Sequence, residues 1–216
     1  MTVRDLSGLD GLGSDWSGVV SDDRKPVHLA NMRVLECRGI TPLTLDEWLP
    51  KTTLTPREFF RNQGITEDEE MLFDEYRRNY GALVAEGIRP VPYTDARPFW
   101  EHLVGIELRP DVISSHPTDH LQAEAREYGI YPYVGRFVGS VKDKGQEIWR
   151  LISRRDINPQ RYAYVGDTVY DIHAARAAGV IAIAVATGYH TRERLAKAEP
   201  DVLVDSLTEL MHLIAA

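Results

Sequence analysis

Cysteine is almost absent from the 216-residue chain, in which Cys37 is the only one. A disulfide framework and a cysteine-based zinc site are therefore excluded. Cys37 lies in a stretch with helical periodicity and has no histidine partner in the pattern, so we interpret it as a packed thiol. The seven histidines are scattered, and no pair has the HExxH spacing of a zinc protease.

Long apolar runs and an excess of basic charge are also missing. The longest apolar stretch, residues 180–186, is far too short to cross a bilayer, and the first residues lack the apolar run of a secretory signal. We therefore expect a cytoplasmic protein without a membrane partner. The net charge of -8 argues against nucleic acid as a partner.

The second half of the sequence alternates short apolar runs with capped helical segments. Strands are predicted at 111–114, 162–165, 180–185 and 202–204, with helices near 118–128, 144–155, 170–178, from Thr191 and after Ser206. The basic pair Arg154-Arg155 is interpreted as a solvated helix end. This β-α-β-α order predicts an α/β fold with a doubly wound parallel sheet.

The region 24–95 differs, because helix starts follow one another with no strand between them. Thr44-Leu45-Asp46-Glu47 and Thr55-Pro56-Arg57-Glu58 are both capping-box sequences, and 67–86 has the pattern of a long amphipathic helix. We predict that 24–95 forms an all-helical cap, inserted into a core made of 1–23 and 96–216.

Polar side chains collect where the predicted strands end, and ligands bind at this edge of a doubly wound sheet. They are Asp15 and Ser17 after the first strand, Ser114, Ser115 and His116 after the second, Lys142 and Lys144 before the next helix, and Asp167 and Asp171 after the following strand. Clustered carboxylates repel one another unless a hard cation such as Mg²⁺ lies between them. A carboxylate nucleophile with a hydroxyl and a lysine suits phosphoryl transfer.

The segments DWSGVVSDD, VISS, KDKG and YVGDTVYDI, in that order, resemble the motifs of the haloacid dehalogenase-like (HAD) hydrolase superfamily. The likeness is closest to the phosphoglycolate-phosphatase-like branch, which has a Rossmann-like core and an inserted helical cap. The resemblance implies a Mg²⁺-dependent phosphatase of a small phosphorylated metabolite, monomeric or homodimeric. By this resemblance Asp15 is the nucleophile and a metal ligand, and the backbone carbonyl of Ser17 is a second metal ligand. Ser114, with Ser115 beside it, binds phosphate. Asp167 binds the metal, and Asp171 supports the metal or the lysine.

The motif lysine is ambiguous, because related members of the family match the spacing of either Lys142 or Lys144. Lys144 opens the predicted helix, and we favour it slightly. The first strand is also unusual, since small residues at 8–14 replace the expected large apolar ones.

Ser17 departs from the family pattern, in which a second aspartate acts as general acid two residues after the nucleophile. A serine hydroxyl cannot do this at neutral pH. Either the leaving group needs no proton, or another residue such as His116 supplies it, or the protein is a low-activity phosphate-binding module.

Asp15-Trp16-Ser17 is also similar to the start of phosphonoacetaldehyde hydrolases, which lack this acid and cleave a carbon–phosphorus bond. Those enzymes use a cap lysine to form a Schiff base. Lys51, between two predicted cap helices, is the candidate substrate-binding lysine.

Overall fold

The structure is a computed structural model that describes residues 6–52 and 56–214. It forms two compact units. The α/β unit comprises Met1–Ser21 and Pro92–Ala216, and the helical unit comprises Asp22–Val91. The roles of core and cap assigned to 1–23 with 96–216 and to 24–95 stay a prediction. The capping residue Thr55 lies outside the described residues.

A six-stranded parallel sheet forms the centre of the α/β unit within the described residues, with the strand order β5-β4-β1-β6-β7-β8. Its strands are β1 (Gly11–Ser14), β4 (Asp111–Ile113), β5 (Arg136–Val138), β6 (Tyr162–Gly166), β7 (Ile181–Val185) and β8 (Val202–Val204). The short strands β2 (Ser21–Asp22) and β3 (Val91–Pro92) form a separate two-stranded sheet.

Helices lie on both faces of the large sheet: α5 (Ala96–Gly105), α6 (Thr118–Glu127), α7 (Lys144–Arg154), α8 (Val169–Ala177), α9 (Arg192–Lys197) and α10 (Leu207–Ile214). Alternate residues of β6 enter different cores, with Ala163 and Val165 in one and Tyr162 and Tyr164 in the other. Both faces of the sheet are therefore buried, as in doubly wound folds. The predicted fold class is confirmed.

The small residues of β1 are explained by its neighbour β6. Gly11 pairs with Tyr162 and Gly13 with Tyr164 in the parallel register. A Cβ on Gly11 would lie 2.8 Å from the Tyr162 ring, and one on Gly13 would lie 2.8 Å from the Tyr162 hydroxyl and 3.0 Å from the Tyr164 ring. The tyrosines thus fill the space that large apolar residues of β1 would otherwise occupy.

Arg155 is not the solvated helix end that the sequence predicted. Its guanidinium binds the carboxylate of Asp111 through two hydrogen bonds of 2.8 and 2.9 Å. Asp111 is 1% exposed, and burial raises its pKa although Arg155 opposes the shift. A buried carboxylate needs such a partner, so Arg155 ties the end of α7 to β4.

The helical unit contains α1 (Arg24–Glu36), α2 (Leu45–Trp48), α3 (Pro56–Asn62) and α4 (Glu69–Ala85), with a short 3-10 helix at Leu49–Lys51. Thr44 and Glu47 form the predicted capping box before α2. Asp68 caps α4 by accepting from the backbone N–H groups of Glu70 and Met71. The packed-thiol interpretation of Cys37 is wrong, because Cys37 follows the last turn of α1 and is exposed.

No helix in the described part of the chain is both long and apolar enough to span a membrane.

Candidate active site

Asp15 stands at the carboxyl end of β1, in the middle of the sheet. Its backbone N–H donates to the carbonyl of Val165 on β6 at 2.9 Å. The next residues form a tight turn, in which the carbonyl of Trp16 accepts from the N–H groups of Val20 and Ser21 at 2.8 and 3.0 Å. The strand and the turn together fix where the Asp15 carboxylate points. Ser17 is half-buried in this turn and pairs with Ser21.

Lys144 connects two of the carboxylates. Its Nζ donates to Oδ2 of Asp15 at 2.6 Å and to Oδ1 of Asp171 at 2.7 Å. The other oxygen of Asp171 accepts from the hydroxyl and the N–H of Thr168, at 2.5 and 3.1 Å, in a capping box that begins α8. Both oxygens of Asp171 therefore accept hydrogen bonds.

Asp167 follows β6 and is enclosed by two glycines. A Cβ on Gly18 or Gly188 would lie 2.2 or 2.0 Å from Oδ2 of Asp167, so only glycine fits at these positions. The N–H of Tyr189 donates to the same oxygen at 2.7 Å. The other oxygen, Oδ1, is buried and has no hydrogen-bond partner among the described residues.

The carboxylates lie close together. Among the described residues, Asp15, Asp167 and Asp171 form a buried group whose ligand oxygens lie within 4.8 Å of one another. Burial and the neighbouring charges of Asp171 and Asp15 raise the pKa of Asp167 well above its usual range. Burial also raises the pKa of Asp15, although Lys144 opposes the shift. A bound cation would remove this repulsion, so the residues present fit a metal ion.

Two serines and a histidine follow β4, as predicted. Ser114 is 1% exposed, and its Oγ accepts a long hydrogen bond of 3.4 Å from the N–H of His116. Ser115 is exposed, and His116 is half-buried.

The two candidate lysines of motif KDKG differ sharply in their surroundings. Lys144 is 5% exposed and begins α7, with Asp143 as the capping residue. Lys142 is exposed, and its carbonyl accepts from the hydroxyl of Tyr170 at 3.2 Å. The structure thus brings Lys144 into the carboxylate group and leaves Lys142 outside it. Lys51 is exposed in the helical unit.

The sequence analysis assigned no site role to the segment after β7. Besides Gly188 and Tyr189, it contains Thr187, whose hydroxyl donates to the carbonyl of Gly18 at 2.6 Å. It also contains His190, whose Nδ1 accepts from the N–H of Val169 at 2.9 Å, and burial lowers the pKa of His190 to about 4. The segment therefore holds the Asp15 turn, Asp167 and the start of α8 together.

Comparisons with known proteins find similar sequences and similar folds. A family model described as HAD-hydrolase-like matches residues 145–210. A phosphoglycolate phosphatase from Salmonella typhi is 29% identical over 178 residues, which cover 76% of this chain and 69% of that protein. One from Salmonella paratyphi A is 29% identical over 145 residues, covering 65% and 56%.

A solved structure of a haloacid dehalogenase-like hydrolase from Streptococcus pneumoniae superimposes with a TM-score of 0.80. It has 16% sequence identity, and the match covers 95% of this chain and 98% of that one. The chain is thus similar in sequence to HAD-hydrolase-like proteins over residues 145–210 and to phosphoglycolate phosphatases, and it shares the fold of this solved structure.

The predicted resemblance to the phosphoglycolate-phosphatase-like branch of the HAD superfamily is confirmed by these relatives. Several matches span only part of the relatives, such as 56% of the Salmonella paratyphi A protein. Asp15, Lys144, Asp167 and Asp171, which come from the predicted motifs, meet at one edge of the sheet.

Proposed function

We propose that this HAD-like protein is a Mg²⁺-dependent phosphatase of a small phosphorylated metabolite, with Asp15 as the nucleophile. One observation carries the proposal: Lys144 bridges Asp15 and Asp171 while Oδ1 of the adjacent Asp167 has no partner among the described residues. A set of this kind provides a nucleophile, a fixed cation and a free ligand oxygen in one buried group.

The proposed metal ligands are Asp15 and Asp167, with the carbonyl of Ser17 and with Asp171 as a supporting carboxylate. All of these are oxygen donors, the type that Mg²⁺ prefers. When bound, Mg²⁺ supplies positive charge that offsets the negative charge of the phosphoryl group during transfer.

The proposed chemistry has two steps. The Asp15 carboxylate attacks phosphorus, the bond from phosphorus to the leaving oxygen breaks, and an aspartyl phosphate forms. Water then attacks phosphorus, breaks the bond to the Asp15 oxygen and releases inorganic phosphate. The Nζ of Lys144 and the hydroxyl of Ser114, with Ser115 beside it, hold the phosphoryl oxygens while negative charge grows on them.

Ser17 restricts the substrates that react quickly. With no carboxylic acid at this position, an alkoxide leaving group departs unprotonated unless His116 or another group donates, whereas an acyl phosphate expels a carboxylate that needs no proton. We therefore propose that acyl phosphates and other phosphates with good leaving groups are hydrolysed faster than alkyl phosphates. Phosphoglycolate, the substrate in the names of the relatives, belongs to the slower class.

A substrate panel with Mg²⁺ tests the proposal. The panel contains acetyl phosphate, p-nitrophenyl phosphate and phosphoglycolate, and released phosphate is measured with and without excess EDTA. We expect turnover that needs the metal and that Asp15→Asn abolishes, because an amide cannot attack phosphorus. Asp119→Asn, at an exposed position on α6, is the matched control and keeps full activity. Equal turnover by Asp15→Asn would disprove the nucleophile assignment.

The carbon–phosphorus alternative is tested with the same protein. If Lys51 formed a Schiff base, borohydride would trap an adduct with phosphonoacetaldehyde, and Lys51→Arg would prevent it. We expect no adduct, since Lys51 is exposed to water, which hydrolyses a Schiff base. A cytoplasmic location and a monomeric or homodimeric state stay predictions.

A further inference from the structure

Trp16, the residue after Asp15, is held by side chains of α6. It is 1% exposed, and its indole Nε1–H donates to Oε2 of Glu124 at 2.6 Å. Its ring stacks on Tyr128, directly after α6, with centroids 6.0 Å apart and an interplanar angle of 2°. The hydroxyls of Tyr128 and Ser21 lie 3.0 Å apart. Helix α6 and the residue that follows it therefore contact both ends of the Asp15 turn.

Trp16 in turn restrains the carboxylate of Asp15. Its backbone N–H donates to Oδ1 of Asp15 at 2.8 Å, while Lys144 donates to Oδ2 at 2.6 Å. The backbone carbonyl of Trp16 closes the turn by accepting hydrogen bonds from the N–H groups of Val20 and Ser21. A displacement of the Trp16 backbone would therefore weaken both the bond to Oδ1 of Asp15 and the hydrogen bonds that close the turn.

Burying the indole N–H of Trp16 has a desolvation cost that an apolar ring would not have. A phenylalanine would fill much of the same space without a buried N–H to satisfy, whereas a buried indole N–H needs an acceptor. Here the acceptor is a carboxylate, and a charge-assisted hydrogen bond is shorter, stronger and more directional than a neutral one. The bond fixes the angle of the indole about its stacking partner.

We propose that Glu124 is a positioning residue, which acts through Trp16 to hold the Asp15 carboxylate in line for attack. The inference rests on the proposed function of Asp15. Glu124 lies outside all four motifs, 108 residues after Trp16 in the chain. A small displacement of a nucleophile lowers kcat on the order of 10- to 100-fold, while substrate binding changes little.

Steady-state kinetics with p-nitrophenyl phosphate and Mg²⁺ test whether the contact between Glu124 and Trp16 affects kcat. Glu124→Leu removes the acceptor, and Trp16→Phe removes the donor but keeps a ring. We expect each to lower kcat about 10-fold or more with KM nearly unchanged. Glu124→Gln keeps an acceptor oxygen and restores most of the rate. The double variant is no slower than the slower single variant, because both lose one shared bond.

Glu127→Leu is the matched control, since it replaces an exposed glutamate on the same helix. We expect its kcat and KM to equal those of the unmodified protein. A wild-type kcat in Glu124→Leu, or equal losses in Glu124→Gln and Glu124→Leu, would overturn the inference. Melting temperatures are measured for every variant; if Glu124→Leu does not fold, Trp16→Phe and Glu124→Gln decide the result.

Nuclear magnetic resonance separates this inference from the proposed function, because it needs no turnover. In ¹⁵N-labelled protein we expect the Trp16 indole N–H, assigned with Trp16→Phe, to move upfield in Glu124→Leu. The backbone N–H of Trp16 should shift with it, since that N–H reports the bond to Asp15. If no substrate turns over but both signals shift, the proposed function fails and the positioning link stands. If the backbone signal stays in place, the link is disproved whatever the activity.

Discussion

Lys142 and Lys144 differ in their positions relative to the start of α7. Lys144 is the first residue of the helix, and it shares a face with Ile148, Leu151 and Ile152, all of which are buried. This spacing is that of one helical stripe, so the sequence already contained the signal that Lys144 points inward. The spacing of the motifs, by contrast, does not distinguish the two lysines. The catalytic role of either lysine stays a prediction.

Ser17 gives a prediction about leaving groups at the scale of a single residue. Ser17→Asp places a carboxylic acid where the family normally has one. We expect the rate with phosphoglycolate to rise by as much as about 10²-fold, the lower end of what a general acid contributes, and the rate with acetyl phosphate to stay nearly constant. Initial rates on the two substrates at neutral pH provide the measurement.

Ser17→Asn is the control for this change, because it is similar in size and cannot donate a proton as an acid. If Asn raises the phosphoglycolate rate as much as Asp does, the effect is not general acid catalysis. If neither variant changes the rate, another group such as His116 already supplies the proton.

At the scale of elements, most helices and strands of the α/β unit follow from periodicity and capping. Strand β6 and helix α6, for example, begin at the residues where apolar patterning and helix-start signals place them. Strand β5 was missed, because its three residues are only half-buried or exposed and show no apolar run. Tertiary pairing with β4 makes this segment a strand. Strand β1 is also difficult to predict from the sequence, because its glycines suit a strand only where they pack beside the tyrosines of β6.

Two glycine-to-alanine substitutions, one in a strand and one in a helix, show how the surroundings of a glycine affect the free energy of unfolding. Gly13→Ala in β1 places a Cβ against the Tyr162 hydroxyl and the Tyr164 ring, so we expect it to lower the free energy of unfolding by about 1–3 kcal/mol. Gly81→Ala in α4 places a Cβ where none of the described residues offers a contact within 4 Å. Because alanine favours the helix, we expect a gain of about 0.5–1 kcal/mol.

Chemical denaturation of both variants against the unmodified protein gives these two free energies. Opposite signs support the packing explanation of β1. A Gly13→Ala variant as stable as the unmodified protein would show that β1 and β6 separate easily. That result would contradict the close packing of the β1 glycines against the β6 tyrosines.

At the scale of the whole molecule, the carboxylate group links metal binding to stability. Without a metal, the pKa of Asp167 is raised by burial and by its neighbours. The folded protein therefore binds its proton more tightly than the unfolded chain, and stability falls as the pH rises from the ordinary value of 3.8 through the raised pKa. A bound Mg²⁺ reverses this dependence, because it favours the ionised form.

Asp167→Asn separates these effects, since asparagine still accepts from Tyr189 but carries no charge. In metal-free buffer near neutral pH we expect the variant to be more stable than the unmodified protein. Mg²⁺ at 100 times its dissociation constant should stabilise the unmodified protein by about 2.7 kcal/mol and the variant by much less. Thermal unfolding with and without Mg²⁺ measures both. Equal stabilisation of the two proteins would remove Asp167 from the metal site.

The sequence by itself determined most strands and helices of the α/β unit and the set of polar residues at the carboxyl edge of the sheet, because periodicity, caps and parallel topology act locally or through chain order. Only the tertiary structure decided which atoms meet. It brings Lys144 between Asp15 and Asp171, leaves Oδ1 of Asp167 without a partner among the described residues, and joins Trp16 to Glu124. These contacts link residues far apart in the chain, and their geometry depends on packing that no local pattern encodes.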